Sequence, residues 1–178
     1  MQAIKFKKAK RETRRALTTE EQQTFHNRIL LPEFEPYRKL LLLQYYFGLR
    51  PIELTDAHFE GDFLIVLNAK HKTSDGDKVY KKIPIPKQAR IHIDITEPIE
   101  CNCSLDTLNR IFKKVLQDSS VTQYYLRHTY ATTCVQYVRP DIVDTWMGDS
   151  SERLVGRVYT HFPDKFMKEQ IELVKFEF

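Results

Sequence analysis

The sequence contains no long apolar run, and this absence excludes a membrane-spanning helix. Its longest leucine stretch occupies residues 40–43, far short of the roughly 18 residues that cross a bilayer. The N-terminus also lacks the apolar core of a secretion signal, because lysine and arginine interrupt it throughout. The 178 residues, 42% of them hydrophobic, therefore predict one soluble globular domain with no contact to a membrane.

Cysteine is scarce, and its spacing argues against both disulfides and zinc. The three residues Cys101, Cys103 and Cys134 cannot all pair internally, and the first two are too close in sequence for a favourable bridge. Structural zinc usually needs two or more residues between paired ligands and a second pair elsewhere. The sequence therefore predicts free thiols in a reducing intracellular compartment and no structural zinc site.

Positive charge is concentrated at the N-terminus. The net charge is only +4, but residues 5–15 hold seven lysines and arginines against a single glutamate. One interpretation is a solvated tail or linker, and the other is a basic arm that lies along nucleic-acid phosphates. Under the second interpretation the DNA-binding residues of the arm are Lys7, Lys8, Lys10, Arg11, Arg14 and Arg15.

Helix signals dominate the first third of the chain. Thr18 and Glu21 have the spacing of a capping box, which predicts a helix that starts at Thr18. A second helix is predicted from Pro36 to Gly48, since proline suits the first helical turn and glycine the stop. Residues 49–54 then turn directly into another short helical segment.

The middle of the chain changes to a strand pattern. Residues 63–68 and 79–86 are rich in β-branched and apolar residues and are joined by a polar turn, which predicts a hairpin. Residues 90–95 alternate between apolar and polar positions like a third, shorter strand. The predicted fold class is therefore mainly α with one small antiparallel sheet.

The C-terminal half again predicts helices, of which the one at residues 121–138 is the most informative. Leu126, Tyr130, Cys134 and Val138 recur every four residues, and Val135 joins this apolar stripe. Arg127 lies beside the stripe, where an unpaired guanidinium would be costly, so it must bind an anion. The other predicted helices follow Cys103, with Asp106 as the cap, and span residues 141–148, 151–162 and 164–176.

Five segments, in this order along the chain, carry a family resemblance. "YYFGLRPIEL" (45–54), "KHKT" (70–73), "YYLRHTYATT" (124–133), "WMGDSS" (146–151) and "GRVYTHF" (156–162) resemble the signature boxes of the tyrosine recombinase, or phage integrase, family. The resemblance runs from about Leu17 to about Phe166. It implies a recombinase-like catalytic domain over residues 17–178, preceded by a basic linker or arm at residues 1–16.

The resemblance also implies a chemistry that needs neither a metal nor a high-energy cofactor. A tyrosine attacks the scissile phosphodiester and becomes linked to the 3′ phosphate, and Tyr159 matches that nucleophile. Arg50 and Arg127 match the two arginines that bind the phosphate, whose planar forks suit its oxygens. Lys72 matches the general acid that protonates the departing 5′ oxygen, with Lys70 as the competing candidate two residues earlier.

Two positions depart from the family pattern. Tyr124 stands where the family usually has histidine, and its hydroxyl can still donate to a phosphate oxygen. Asp149 stands where the family usually has histidine or tryptophan, and an ionised carboxylate cannot donate. Asp149 either accepts a proton from Tyr159 or caps the helix near Ser151 and orients an arginine.

The resemblance further implies partners. These are double-stranded DNA attachment sites, a homotetramer assembled on them, and host or phage DNA-bending proteins, in the cytoplasm of a bacterial host. The apolar C-terminal residues 163–178 either pack on their own core or dock on a neighbouring protomer, and we predict that this segment is detachable.

Two other function classes remain open. The first is a DNA-binding regulator that kept the fold and lost turnover, and the second is a type IB topoisomerase with the same chemistry. A metal-dependent nuclease has the least support, since no carboxylate cluster suggests a magnesium site.

Overall fold

The computed structural model describes residues 14–72, 76, 78–149 and 162–178, and the side chains of residues 71 and 72 are not described. Within these ranges the chain forms seven α-helices and a three-stranded antiparallel sheet, so the predicted fold class is confirmed. The elements are α1 (Thr19–Ile29), α2 (Glu35–Phe47), β1 (His58–Glu60), β2 (Phe63–Lys72), β3 (Lys78–Pro84), α3 (Lys87–His92), α4 (Leu105–Leu116), α5 (Tyr124–Cys134), α6 (Pro140–Met147) and α7 (Asp164–Ile171).

Helix α1 begins and helix α2 ends at the predicted signals. The Thr18 hydroxyl accepts the Glu21 backbone N–H at 3.2 Å, and the Glu21 carboxylate accepts the Thr18 N–H at 2.8 Å, which completes the capping box. Helix α2 ends at Gly48, whose φ of 60° is left-handed. A 3-10 helix, Pro51–Thr55, follows almost at once, so Arg50 lies at the junction of two helices.

The sheet contains the predicted hairpin but not the predicted third strand. Strands β2 and β3 pair antiparallel, with Leu64 opposite Ile83, and β1 supplies the third strand on the other side of β2. The expectation of a strand at residues 90–95 is wrong, because α3 occupies the first half of that segment and no strand occupies the rest. Pro84 and Pro86 lack the N–H groups that a continuing sheet would need.

The structure around α3 explains why the alternating pattern of residues 90–95 wrongly predicted a strand. Pro86 has the extended conformation of an N-cap, and the Ile93 backbone N–H closes the helix by donating to Ala89 O at 2.8 Å. Ala89 and Ile93 are buried, whereas Ile91 is 76% exposed. The apolar residue at position 91 therefore contributes nothing to the core.

Two smaller expectations in the C-terminal half are also wrong. Ser104, not Asp106, caps α4, because Ser104 has the extended backbone that lets its hydroxyl accept the Thr107 N–H at 3.1 Å. Asp106 lies inside the first turn instead. Val135 was expected in the apolar stripe of α5 but is 47% exposed, since the helix ends at Cys134.

Helix α2 occupies the centre of the molecule. All eight of its residues from 40 to 47 are buried, and the helix packs against α5 and α4. This packing brings the carboxyl end of α2 against α5 near Arg127. In the described part of the chain, no helix has the length and apolarity needed to cross a membrane.

The C-terminal segment packs on its own core. Met167 and Ile171 of α7 are buried, as are Val174 and Phe176 beyond the helix. The ring of Phe178 stacks on Tyr45 at a centroid distance of 4.7 Å. Helix α7 ends at Ile171, so the expected helix to residue 176 is too long, and docking on a neighbour stays a prediction. The helix expected at residues 151–162 lies outside the described residues except for Phe162.

Candidate active site

Arg50 is positioned by Glu53, which lies one helical turn later in the chain. Arg50 precedes the 3-10 helix with extended backbone, and its N–H and Nη1 each donate to the Glu53 carboxylate at 2.8 Å. The side chain of Glu53 is fully buried, so its charge requires such partners. The pair fixes the direction of the Arg50 guanidinium before any ligand arrives.

A buried lysine completes the environment of Glu53. Lys81 Nζ donates to Glu53 Oε2 at 2.8 Å and to Met147 O at 3.1 Å, with only 4% of the lysine side chain exposed. Burial lowers the pKa of Lys81 to about 8, although Glu53 opposes the shift. Burial also acts to raise the pKa of Glu53, but Lys81 and Arg50 outweigh it and the pKa is lowered. Both groups are therefore charged at neutral pH.

Neither Glu53 nor Lys81 was among the residues predicted for the site. Lys81 could have been found, because it lies two residues before Ile83 on the same, buried face of β3. A lysine at such a position must have a partner inside the protein. Glu53 lies within the first of the five family-like segments, and its capping position relative to Arg50 was the available signal.

Arg127 joins the ends of two helices. Its Nη1 donates to Gly48 O at the end of α2, at 2.5 Å, and its Nη2 donates to Met147 O at the end of α6, at 3.1 Å. Burial lowers the pKa of Arg127, as does the nearby Arg50, but a guanidinium remains charged in proteins. A cation at two helix carboxyl termini is favourable, because helix dipoles direct partial negative charge there.

Asp149 bridges the two arginines. Its Oδ1 accepts from Arg50 Nη2 at 2.7 Å, and its Oδ2 accepts from Arg127 Nη2 at 2.8 Å. Lys70 Nζ approaches Oδ1 at 3.4 Å. Burial opposes ionisation of Asp149, but Arg127, Arg50 and Lys70 together outweigh it and lower its pKa. Asp149 therefore contacts arginines as one of its two predicted roles requires, while Tyr159 and Ser151 lie outside the described residues.

The loop that carries Asp149 is attached to the sheet. Asn68 of β2 donates from Nδ2 to Gly148 O at 3.1 Å, and its Oδ1 accepts the Lys70 N–H at 3.1 Å. Gly148 ends α6 with a φ of 67°, a left-handed conformation that glycine adopts without strain. The side chains of Asn68 and Lys81 pack so closely on Gly148 that they would have to move to admit a Cβ there.

Replacing Gly148 by alanine should lower the free energy of unfolding by about 1–3 kcal/mol through overpacking, in addition to about 1 kcal/mol for the left-handed backbone. The new Cβ would lie 2.6 Å from Asn68 Nδ2 and 2.9 Å from Lys81 Cδ. Urea unfolding measures the change. Gly61→Ala is the matched control, because Gly61 has a φ of 56° but no atom within 4 Å of the new Cβ. Equal losses in the two variants would contradict the close packing at Gly148.

The described end of the basic arm lies beside Tyr124, one of the predicted site residues. The Arg14 guanidinium is 5.7 Å from the ring centre of Tyr124, which starts α5 and is 40% exposed. Arg15 binds both oxygens of Glu21 at 2.6 Å, so a phosphate would have to compete with that carboxylate. A cavity of about 390 Å³ opens between Arg14, Tyr124 and Pro51.

Several predicted site residues lie partly or wholly outside the residues that the structure describes. The backbone of Lys72 ends β2 opposite Lys78, but its side chain is not described. The side chain of Lys70 is 54% exposed and contacts Asp149. Among the described residues, no group of three or more His, Cys, Asp or Glu could hold a metal ion. Five of the predicted site residues lie entirely outside the described ranges, namely Lys7, Lys8, Lys10, Arg11 and Tyr159.

Comparison with known proteins identifies the fold. The integrase from mycobacterium phage Brujita superposes with a TM-score of 0.65 at 16% identity, over 97% of this chain and 62% of its own. A lambda integrase (75–356) dimer bound to a COC′ core site gives 0.58 at 20% identity, over 80% and 60%. The Tn1549 transposon integrase in complex with circular intermediate DNA gives 0.51 at 18% identity, over 92% and 66%.

These likenesses define the class of structure. The chain has the fold of tyrosine recombinase catalytic domains. It spans 60–66% of the length of the three chains compared. No protein-family model matches the sequence, and neither does any curated protein.

Proposed function

We propose that this chain is the catalytic domain of a tyrosine site-specific recombinase, an integrase that cleaves and rejoins DNA. The observation that carries the proposal is the convergence of two buried or half-buried arginines on one anionic group. Arg50 and Arg127 each direct one Nη2 donor at a different oxygen of the same carboxylate. Two oxygens on one centre are also what a phosphodiester presents.

The convergence is suited to a charged transition state. Both guanidiniums are held by other partners, Arg50 by Glu53 and Arg127 by the carbonyls of Gly48 and Met147. Their donors are therefore aimed before the reaction, and preorganised donors stabilise developing oxyanion charge at little reorganisation cost. Because the two arginines are far apart in the sequence, local structure alone does not explain why they meet at one carboxylate.

The remaining roles rest on the sequence resemblance. The Tyr159 oxygen attacks phosphorus and forms a 3′-phosphotyrosyl bond, its proton passes to water or to Asp149, and the bond to the 5′ oxygen breaks. That oxygen leaves with a proton from Lys72, or from Lys70 as the alternative, and Tyr124 donates to a phosphate oxygen. In the reverse step a 5′ hydroxyl of a partner strand attacks phosphorus and releases Tyr159, so no net bond energy is lost.

The proposal extends to domain organisation and partners. Residues 1–16 serve as a basic linker and residues 17–178 as the catalytic domain, which binds double-stranded attachment sites. Arg14 beside Tyr124 supports a path for DNA from the arm toward the site. Among the structural neighbours, a lambda integrase is a tetramer bound to a Holliday junction. A homotetramer on two DNA sites, with accessory DNA-bending proteins, is our proposal for this chain.

Covalent trapping tests the function. We would incubate the protein in EDTA with a pool of nicked duplexes of randomised sequence, from which the cleaved fragment diffuses away. We expect an SDS-resistant protein–DNA adduct, and peptide mapping by mass spectrometry should place the DNA on Tyr159. Tyr159→Phe should bind the same pool without forming the adduct. DNA binding without any adduct, or an adduct on another residue, would contradict the proposal.

One observation favours a second candidate. Asp149 occupies the donors that the phosphate would use, which is also what a DNA-binding regulator without turnover would tolerate. If the protein is such a regulator, the wild type and Tyr159→Phe should bind DNA equally well, and neither should form an adduct. A plasmid relaxation assay separates the third class, since a type IB topoisomerase relaxes supercoils efficiently in the same metal-free buffer.

A further inference from the structure

The two acids of the site differ in how firmly they are held. Glu53 is fully buried and accepts from the backbone and side chain of Arg50 and from Lys81. Asp149 has 31% of its side chain exposed and contacts only side chains, those of Arg50, Arg127 and Lys70, among the interactions described for its carboxylate. Glu53 is thus a permanent part of the site, whereas the Asp149 carboxylate can turn toward solvent.

The backbone permits such a movement of the Asp149 side chain. The Asp149 N–H donates to Asp144 O at 3.0 Å, and Asn68 binds the preceding carbonyl of Gly148. These bonds fix the main chain at the end of α6. Rotation about the side-chain bonds of Asp149 alone would therefore release both arginines without changing the fold.

The arginines need an anion even when no DNA is bound. The Arg50 charge disfavours the charged form of Arg127, and Asp149 opposes that effect. Two guanidiniums without a shared anion would repel each other, although Glu53 and the two helix-terminal carbonyls would still hold them in place. A carboxylate between them offsets that repulsion while no other anion is bound.

Arg127 Nη2 cannot donate to two anions at once while it also binds Met147 O. Arg127 Nη2 has two hydrogens, and these are taken by Met147 O and Asp149 Oδ2. A phosphodiester that uses this donor must therefore displace Asp149. Retaining the carboxylate in contact with the phosphate would also place two negative charges side by side.

We propose that Asp149 is a displaceable resident anion. It offsets the repulsion between Arg50 and Arg127 while the site is empty, and it gives up both to an incoming phosphate oxyanion. This inference rests on the proposed function for the identity of the natural ligand, a DNA phosphodiester. Asp149 is then a competitor of the phosphate that lowers the affinity of the site, because binding must first break its ion pairs with the two arginines.

The test measures the affinity for inorganic phosphate and requires no DNA cleavage. Isothermal titration of Asp149→Asn with phosphate, at constant ionic strength, should give about tenfold tighter binding than wild type, as expected for removal of one charge close to the ligand. Asp62→Asn is the matched control, because it removes the same charge from the ion pairs with Arg90 and Lys168. The control should bind phosphate like wild type.

Each outcome decides the question. Unchanged or weaker binding by Asp149→Asn overturns the proposal, and so does an equal gain in Asp62→Asn, which would reveal a general charge effect. If Asp149→Asn does not fold, carboxyl-carbon NMR of the wild-type protein decides, because the Asp149 signal should shift in step with phosphate saturation. An Asp149 signal that stays fixed at saturation overturns the proposal.

The inference and the proposed function can fail separately. If Asp149→Asn binds phosphate more tightly but the protein forms no adduct with DNA, the displaceable anion is supported and the recombinase proposal is contradicted. An adduct on Tyr159 together with unchanged phosphate affinity would do the reverse. The two experiments share neither substrate nor readout.

Discussion

Replacing Arg127 by lysine should reduce the single-turnover rate of DNA cleavage about 10²–10³-fold, the loss typical of one preorganised oxyanion donor. The substitution keeps the positive charge but loses the planar fork. Arg127 contacts Gly48 O, Met147 O and the Asp149 carboxylate from two nitrogens at once. A single ammonium on a flexible stem cannot reach all three in that geometry.

The loss should appear in the rate far more than in stability. Lysine can still place its ammonium near one of the two helix ends, so part of the favourable interaction with the helix dipoles remains. Alanine would leave Gly48 O and Met147 O unpaired and remove a partner of Asp149, at a cost of about 3–5 kcal/mol. Lysine is therefore the substitution that separates catalysis from folding.

The matched control for Arg127→Lys is Arg28→Lys. Arg28 also donates to helix-terminal carbonyls, to Val115 O at 2.8 Å and to Lys114 O at 3.4 Å, but on α4. Urea unfolding should show similar small losses of stability in both variants. Only Arg127→Lys should slow the formation of the covalent adduct. Equal cleavage rates in the two variants would remove Arg127 from the proposed catalytic groups.

Deleting residues 163–178 should abolish cooperative folding. The deleted segment buries four apolar side chains, at about 1.5–3 kcal/mol each, or about 6–12 kcal/mol in total. Domains of this size have a net stability of about 5–15 kcal/mol, so the loss is comparable with all of it. The buried side chains are Met167, Ile171, Val174 and Phe176.

This expectation opposes the sequence-based prediction that the segment is detachable. Thermal unfolding followed by circular dichroism measures the outcome, and a shorter chain with the unfolding midpoint of the full one would favour docking on a neighbouring protomer. A pair of point variants makes the test finer. Phe176→Ala should cost about 3–5 kcal/mol, while Leu173→Ala, at a 51% exposed position of the same segment, should change stability by less than about 0.5 kcal/mol.

Local chemistry explains which elements the sequence predicted well. The capping box at Thr18 and the left-handed glycines at the ends of α2 and α6 act within one helical turn, so their effect is visible in a short window. The hairpin was predictable for the same reason. Residues 90–95 misled because their alternation has no meaning once two prolines have ended the sheet.

The types of residue in the site could be inferred from the chain, but not their contacts. The need of Arg127 for an anion followed from its place beside an apolar stripe. Its anion in this structure is Asp149, 22 positions away, which also binds Arg50 at a separation of 99 positions. The pairing of Glu53 with Lys81 spans 28 positions and had no local signal strong enough to predict it.

The sequence by itself determined the start of α1, the glycine ends of α2 and α6, the hairpin and the residue types of the proposed site. Only the tertiary structure decided that one carboxylate lies between two arginines, that a lysine is buried against a glutamate, and that the C-terminal segment packs on its own core. The physical reason is the range of the interactions. Caps and turns are decided by neighbours along the chain, whereas the burial of charge depends on which distant segments exclude water together.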